Sequence, residues 1–223
     1  MAAYGHTATP ADVDGARNRL LDAATQLFAM KGYEVTTVRE IIAGAGTNLN
    51  AINYYFGGKQ GLYRAVMTRE IERARSFTTA LPRAADDDPL DVRLESLVLR
   101  LLTFFVSSHT RLPRLAALEL VNPSAAFGDA GTLVYESERE ELRAIVLSAL
   151  GEQTKKDLVD QCVRDVLAQC IYFMFMGESL QRAASPVFSS AAAVRKLAAH
   201  ITAFSLGGFR ALNTASTSPG INK

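Results

Sequence analysis

Two short helical patterns separated by a glycine-containing turn, within residues 37–58, constrain the fold of this chain more than any other feature. Residues 37–40 match a capping box, in which a threonine and a glutamate three positions later satisfy each other's backbone N–H groups. Residues 44–46 end the first pattern, Asn48 is placed to cap the second, and two glycines at 57–58 end it. A helix pair of this kind, with an earlier helix packed behind it, predicts a helix-turn-helix unit.

The remainder of the chain also repeats its apolar residues at three- and four-residue intervals, and no segment alternates as a strand would. We therefore expect an all-α fold. The predicted helices span residues 15–31, 38–43, 49–56, 59–79, 92–108, 115–121, 134–150, 158–182 and 191–212. Between the fourth and the fifth, the segment LPRAADDDPLD combines two prolines with three consecutive aspartates and predicts a solvated connection.

Polar and aromatic side chains crowd the second helix of the pair. Ile52 and Phe56, four positions apart, are expected to hold that helix to its core. The side chains expected to face outwards are Thr37, Asn50, Tyr54, Tyr55 and Lys59. In helix-turn-helix proteins the second helix lies in the major groove of DNA, where hydroxyl and ammonium groups donate hydrogen bonds to phosphate oxygens.

The first residues of the same helix are small or polar, which lets a helix approach base edges. They are Asn48, Leu49, Asn50 and Ala51. Asn50 suits adenine, with which an asparagine forms two hydrogen bonds, and Leu49 or Ala51 suits a thymine methyl group. Residues 15–80 also carry nine Lys+Arg against five Asp+Glu, which favours a polyanionic partner for this part of the chain.

Residues 17–67 resemble the DNA-binding domain of the TetR family of transcriptional regulators. The residues that carry the resemblance are Arg19-Leu20-Leu21-Asp22-Ala23-Ala24, Leu27-Phe28, Gly32-Tyr33, Thr36-Thr37-Val38-Arg39-Glu40-Ile41, Ala45-Gly46, Ile52 through Phe56, Lys59, Gly61, Leu62 and Tyr63. The segments AINYYFGGKQGLYRAVM and RLPRLAALELVNPSAAF are similar to the CecR-like branch of that family. With the sequence pattern, the resemblance predicts a flexible arm (1–14), a helix-turn-helix DNA-binding domain (15–60) with a linker helix (59–79), a helical ligand-binding and dimerisation domain (80–212) and a flexible tail (213–223).

By position, the resemblance implies which side chains meet the DNA. Phosphates would be held by Thr37, Arg39, Tyr54, Tyr55 and Lys59, and bases would be met by Leu49, Asn50 and Ala51. Asn53 departs from the family pattern, which usually has a tyrosine there; an asparagine donates a hydrogen bond but reaches less far. The usual member of the family is a repressor that a small molecule releases. We therefore expect a homodimer on a palindromic double-stranded operator, released by a small, largely apolar effector.

The C-terminal part supplies material for a dimer interface and for a pocket. Residues 168–176 are apolar on every side of their helix, which predicts contacts both inside the domain and with a partner protomer. The resemblance implies that the last two long helices pair with their symmetry mates, and residues 191–212 offer a suitable small and apolar surface. The candidate ligand contacts are Phe104, Phe105, Phe127, Tyr135, Gln169, Tyr172, Phe173 and Met176. Pockets are mostly apolar, although the same residues also suit an ordinary core.

Three other functions stay open from the residues alone. An enzyme would need a nucleophile with a base, a metal site or a phosphate loop, and the three histidines and two cysteines are not spaced for one. We expect no cofactor and no catalytic residue. A regulator without a ligand would use residues 80–212 only as a dimerisation scaffold. An all-helical adaptor would use the helix pair for protein contacts.

The charged residues and cysteines of the C-terminal part predict little chemistry. Arg111, Arg114 and Glu119 are expected to pair with one another or with the acidic helix at 136–141, on a solvated face. Cys162 and Cys170 lie eight residues apart on one helix, too far for a disulfide, and predict buried thiols. With no signal-peptide pattern and no run of about 18 apolar residues, the sequence predicts a cytoplasmic protein that does not cross a membrane.

Overall fold

The computed structural model describes residues 10–105, 111–127, 136–182 and 190–217. In these ranges the chain forms α-helices and no strand, which confirms the predicted all-α class. The helices are α1 (Pro10–Lys31), α2 (Val38–Ala45), α3 (Leu49–Phe56), α4 (Lys59–Thr79), α5 (Leu90–Phe105), α6 (Leu112–Val121), α7 (Glu136–Leu150), α8 (Lys156–Arg182) and α9 (Ala191–Thr217). None of the helices among these residues is long and apolar enough to cross a membrane.

Both ends of the described chain extend the predicted helices. Helix α1 begins at Pro10, so residues 10–14, expected to belong to a flexible arm, are helical. Proline suits the first position of a helix, because its fixed φ is helical and no hydrogen bond is required of its nitrogen there. At the other end, α9 continues past the predicted end at Leu212 to Thr217. The remainder of the expected arm and tail lies outside the described residues.

The chain forms two compact units. The first contains Met1–Arg73 and His109–Gly131, and the second contains Ala74–Ser108 and Thr132–Lys223. Helix α6 therefore groups with the helix-turn-helix, whereas we expected all of residues 80–212 in one C-terminal domain. The reason lies in its contacts, since α6 contacts α1 and its Glu119 accepts a buried hydrogen bond from Tyr63 of α4 within the first unit.

The core of the first unit forms where α1, α2 and α3 contact one another and α4 adds its apolar side. Its fully buried apolar side chains include Leu20, Phe28, Ile41, Ile52, Leu62 and Val66. The ring of Tyr63 on α4 stands edge-on to Phe28 at 4.8 Å between centroids, and contacts Tyr33 at 4.9 Å. This aromatic cluster fixes α4 against α1 and the link that follows it.

Helix α5 is the central element of the second unit, where it contacts α7, α8 and α9. Its buried residues include Leu94, Leu97, Val98, Leu101 and Leu102, but also Arg100, whose side chain is only 6% exposed. The guanidinium of Arg100 donates to Glu141 on α7 and to Ser96 Oγ at 3.0 Å. Glu141 also accepts from Arg83 at 2.6 Å, so one carboxylate joins α5, α7 and the connection before α5.

Removal of Glu141 should destabilise the second unit. We expect Glu141→Ala to lower the free energy of unfolding by about 3 kcal/mol, because the guanidinium of Arg100 stays buried without its counter-ion. Urea unfolding at one protein concentration measures the change. The matched control is Glu140→Ala, since Glu140 is largely exposed and lies 3.8 Å from Arg143; its effect should stay within about 0.5 kcal/mol. Equal effects of the two variants would contradict the assignment.

Candidate nucleic-acid interface

Helix α3 separates a buried side from an exposed side over only eight residues. Ile52 is fully buried, whereas Tyr54 is 79% exposed and Leu49 is 53% exposed. Asn50 and Asn53 are exposed as well, and Ala51 is half-buried. One side of the helix is thus anchored in the core of the first unit, and the other presents amide, phenol and aliphatic groups to the solvent.

The adjacent tyrosines occupy different environments. Tyr54 is exposed and Tyr55 is half-buried, with their rings 5.0 Å apart and nearly perpendicular. Tyr55 also contacts the ring of Phe56 at 6.2 Å. Phe56, expected in the core, is only half-buried, and the guanidinium of Arg17 lies 5.5 Å from its ring centroid. The end of α3 is therefore an aromatic surface with an arginine against it.

Local caps set the position of α3. Asn48 Oδ1 accepts from the backbone N–H of Ala51 at 3.1 Å, which confirms the predicted cap. Gly46 ends α2 with a φ of 60°, a left-handed conformation that glycine adopts without strain. Arg19 Nε donates to the carbonyl of Ala45 at 3.2 Å, so α1 is tied directly to the turn.

The beginning of α4 abuts the end of α3. Gly57 ends α3 with a φ of 69°, and its N–H donates to the carbonyl of Asn53 at 3.0 Å. A Cβ placed on Gly61 would lie 1.7 Å from the carbonyl oxygen of Phe56. Only glycine at position 61 lets α4 pass this close to the end of α3, so the two helices have a fixed relation.

Helix α2 begins with the predicted capping box. Thr37 Oγ1 accepts from the N–H of Glu40 at 3.3 Å, and Glu40 Oε2 accepts from the N–H of Thr37 at 2.9 Å. Lys31 at the end of α1 donates to the same carboxylate. This hydrogen bond from Lys31, followed by those from Thr37, lowers the pKa of Glu40 to about 2. Arg39 is exposed and makes no ion pair to another described residue.

Lys59 lies in a different setting from the free outward cation that we expected. Its Nζ donates to the carbonyl of Glu34 at 3.3 Å and lies 4.3 Å from the ring centroid of Tyr33. The side chain is half-buried. The ammonium is therefore held over the link between α1 and α2 while part of it still meets solvent.

The environment of Glu119 differs from the one that we predicted. Instead of pairing with Arg111 or Arg114 on a solvated face, it is buried, and its carboxylate accepts from the hydroxyl of Tyr63 on α4. The N–H and hydroxyl of Ser124 each donate to it at 2.8 Å. Burial, and then the hydrogen bond to Glu119, raise the pKa of Tyr63 above its ordinary value. The only sequence signal was that Glu119 stands between leucines in an apolar run.

A second buried carboxylate ties α6 to α4. Glu70 on α4 is almost fully buried and accepts from the backbone N–H of Arg111, the residue before α6, at 2.7 Å. Arg73 donates to the same carboxylate at 3.1 Å. A negative group at the start of a helix is favoured by the helix dipole. Sequence reasoning missed this contact, because the partners are 41 positions apart.

The acidic helix α7 forms ion pairs within the second unit. Among the described residues, the carboxylates of α7 meet arginines of α5, of α7 itself and of the connection before α5.

The candidate ligand contacts are distributed over both units. Phe127 belongs to the first unit, and the described others belong to the second. Phe104 and Phe105 are buried in the core with rings 5.6 Å apart, whereas Tyr172 is 52% exposed and Phe173 and Met176 are half-buried. Gln169 Nε2 donates to Ser205 Oγ on α9 at 3.4 Å. Tyr135 lies outside the described residues. A recess of about 240 Å³ in the second unit is lined by other residues: Leu90, Asp91, Ala149, Leu206, Phe209 and Arg210.

The described residues contain no group of three His, Cys, Asp or Glu that could hold a metal ion. Cys162 and Cys170 are free and buried, which confirms the prediction of buried thiols. Burial raises the pKa of the Cys162 thiol, and it raises the pKa of the Cys170 thiol to about 12. Both groups are therefore poor nucleophiles at neutral pH.

Two capped short helices joined by a tight turn, with a polar exposed face on the second, define a helix-turn-helix DNA-binding protein. Comparison with known families agrees with this class. Residues 20–66 match the model "Bacterial regulatory proteins, tetR family". Residues 90–209, more than half of the chain, match "HTH-type transcriptional dual regulator CecR, C-terminal domain". The chain therefore belongs to the TetR family, whose members are DNA-binding transcriptional regulators and not enzymes.

Individual relatives agree. The HTH-type transcriptional dual regulator CecR of Shigella flexneri is 32% identical over 124 residues, which are 50% of this chain and 54% of that protein. The probable HTH-type transcriptional regulator YttP of Bacillus subtilis is 30% identical over 105 residues, 47% of this chain and 50% of that protein. The chain thus spans about half the length of these curated relatives.

Solved structures share the fold. A bacterial regulatory protein in the tetR family from Rhodococcus RHA1 has a TM-score of 0.63 and 22% identity, covering 86% of this chain and 95% of that one. The fatty acid degradation regulator FadR from Bacillus halodurans has a TM-score of 0.57 and 16% identity, covering 94% of this chain and 99% of that one. At these identities the likeness describes the fold alone.

The capping box predicts an acid-dependent contribution to stability. The pKa of Glu40 is about 2 in the folded chain, against an ordinary value of 4.5 for an unpaired glutamate. The stabilisation that the ionised Glu40 gives to the fold is therefore present above pH 4.5 and is lost as pH falls towards 2. We expect the carboxyl carbon of Glu40 to titrate near pH 2 by NMR. Lys31→Met should raise that midpoint, because the largest cause of the shift is removed. An unshifted midpoint near 4.5 in the unmodified chain would contradict the geometry of the box.

Proposed function

We propose that this chain is a dimeric repressor that binds a palindromic operator through α3 and is released by a small, largely apolar ligand. The observation that carries the proposal is the exposed side of α3, held at both ends. Asn48 caps its beginning, and Gly61 lets α4 abut its end. A helix fixed in this way loses little conformational freedom on docking, which favours specific recognition.

The exposed groups divide by their chemistry into two sets. Leu49, Asn50 and Ala51 lie at the beginning of α3, and we assign them to base edges. Thr37 and Arg39 lie at the start of α2, and Tyr54, Tyr55 and Lys59 lie at or just after the end of α3. These residues supply hydroxyl and cationic donors, and we assign them to phosphates. Lys59 uses one of its three N–H donors on Glu34, which leaves others for a phosphate. Asn53, exposed beside Tyr54, completes the set as a shorter donor.

Dimerisation is supported by an exposed apolar side on α8 and α9. Phe204 is 70% exposed, and Tyr172 and Phe175 on α8 are exposed too. Around Phe204, α9 presents small exposed residues: Ala199, Ala203, Gly207, Gly208 and Ala211. Small residues let helices approach closely, and a two-fold axis makes one such surface complementary to itself. The same symmetry presents two copies of α3 to a palindrome.

Release by a ligand would act through the spacing of the two copies of α3. Ligand in the second unit would change the separation of the two α3 helices, so that both could no longer dock at the spacing fixed by the DNA. A constitutive regulator without a ligand is the second candidate, and the burial of Phe104 and Phe105 as ordinary core residues favours it. Screening for compounds that dissociate a purified complex separates the two.

The proposal is tested by selection from a pool of randomised duplex DNA with the full-length protein at two salt concentrations. Sequencing of the bound fraction should return a palindrome, and the mass of the complex should correspond to two protomers on one duplex. Sequence-independent binding would overturn specific recognition. Absence of binding at both salt concentrations would favour the protein-interaction adaptor.

Substitutions on α3 and around it should separate base contacts from phosphate contacts. We expect Asn50→Ala to relax the preference at one base pair per half-site, with a loss of about 1–3 kcal/mol there. Lys59→Ala should weaken binding to all duplexes alike and lower the salt dependence. Titration of the selected duplex and of a scrambled one measures both effects. An unchanged preference in Asn50→Ala would contradict the assignment of α3 to the bases.

A charge at the centre of the proposed interface should separate the protomers. We expect Phe204→Asp to convert a dimer into a monomer, because two carboxylates would meet near the symmetry axis in an apolar contact. Light scattering after size-exclusion chromatography measures the mass, and circular dichroism shows that the helices persist. Phe204→Leu is the matched control and should remain dimeric. A Phe204→Asp variant that stayed a dimer would place the interface elsewhere.

A further inference from the structure

Arg17 is a cation of the first unit that none of the assigned DNA contacts uses. It lies on the exposed side of α1, and its guanidinium is 5.5 Å from the ring centroid of Phe56, the last residue of α3. Most other cations of this unit are engaged. Lys31 pairs with Glu40, Arg69 with Asp22 and Arg73 with Glu70. Arg17 makes no ion pair to a residue that the structure describes.

The position of Arg17 is fixed by its surroundings. Two residues further along α1, Arg19 donates to the carbonyl of Ala45 and ties this part of the helix to the turn before α3. The guanidinium of Arg17 lies over the ring of Phe56, the last residue of α3, in the arrangement of a cation–π contact. A cation–π contact with a ring leaves N–H groups of a guanidinium available to donate to other acceptors.

The length of α3 places these N–H groups beside a DNA strand. A helix of eight residues is about 12 Å long, and the major groove of DNA is about 12 Å wide. When the beginning of α3 meets base edges, its far end therefore comes close to the sugar-phosphate backbone at one side of the groove. Tyr55, already assigned to a phosphate, contacts the same Phe56 ring at 6.2 Å.

We propose that Arg17 is a phosphate-binding residue that positions the C-terminal end of α3 in the groove, with Phe56 as the platform that orients its guanidinium. The proposal rests on the placement of α3 in the major groove proposed above. The base-reading residues lie at the beginning of α3. Arg17, which belongs to α1, would add a contact at the other end of α3. The contact is with the backbone and carries no sequence information of its own.

The test compares full-length Arg17→Ala with the unmodified protein on the selected duplex and on a scrambled duplex of equal length, over a range of salt. Each lost phosphate contact should lower the slope of log K against log salt by about 0.9, and a dimer loses two. At 0.15 M salt this corresponds to weaker binding by about 30-fold on the selected duplex. Arg17→Lys, which keeps the charge, should recover most of the slope. Lys155→Ala, which removes an exposed cation between α7 and α8, is the matched control and should leave the slope unchanged.

Further measurements separate this role from a structural one. If Arg17 only stabilises Phe56, Arg17→Ala would lower the melting temperature while the salt slope stayed that of the unmodified protein, and the proposal would be wrong. We expect a shift of no more than about 4 °C. Phe56→Leu removes the ring that orients the guanidinium, so Arg17→Ala should weaken DNA binding less in the Phe56→Leu protein than in the unmodified one. Salt-dependent binding with an unchanged slope in Arg17→Ala refutes this inference alone, whereas no binding by the unmodified protein refutes the proposed function as well.

Discussion

Two buried carboxylates hold α6 against α4, and the geometry of the first unit depends on them. Glu119 on α6 accepts from Tyr63 on α4, and Glu70 on α4 accepts from the N–H of Arg111 at the beginning of α6. A carboxylate withdrawn from water needs its hydrogen bonds, because a missing donor leaves the full desolvation cost uncompensated. The two contacts therefore specify one register between these helices, which apolar packing alone would specify less strictly.

The same region fixes the beginning of α4, and through it α3. Gln60 Nε2 donates to the carbonyl of Ala125 at 3.4 Å, and Arg64 Nε donates to that of Ala126 at 3.3 Å, so the segment after α6 borders the first turns of α4. Gly61 then brings α4 against the last carbonyl of α3. Buried carboxylates, the start of α4 and the recognition helix thus form one continuous set of contacts within the first unit.

Sequence reasoning succeeded where the physical cause is local. The caps at Thr37 and Asn48 involve partners three positions away, so their residue types were sufficient to place α2 and α3. It failed where the cause is tertiary. The burial of Glu119 depends on Tyr63, 56 positions earlier, and the position of Lys59 depends on Glu34, 25 positions earlier. Phe56 was assigned to the core by its spacing from Ile52, but as the last residue of α3 it is only half-buried, with its ring beside Arg17 of α1.

The central claim, that α3 enters the major groove in two copies, is tested most directly by DNA cleavage from a probe on that helix. An iron chelate can be attached selectively to the cysteine of Asn50→Cys, because burial raises the pKa of both native thiols and makes them unreactive. Our account predicts cuts at two symmetric positions, one helical turn of about 34–36 Å or a multiple of it apart. Absence of cuts from position 50, with cuts instead from a probe on Lys155→Cys in the second unit, would contradict it.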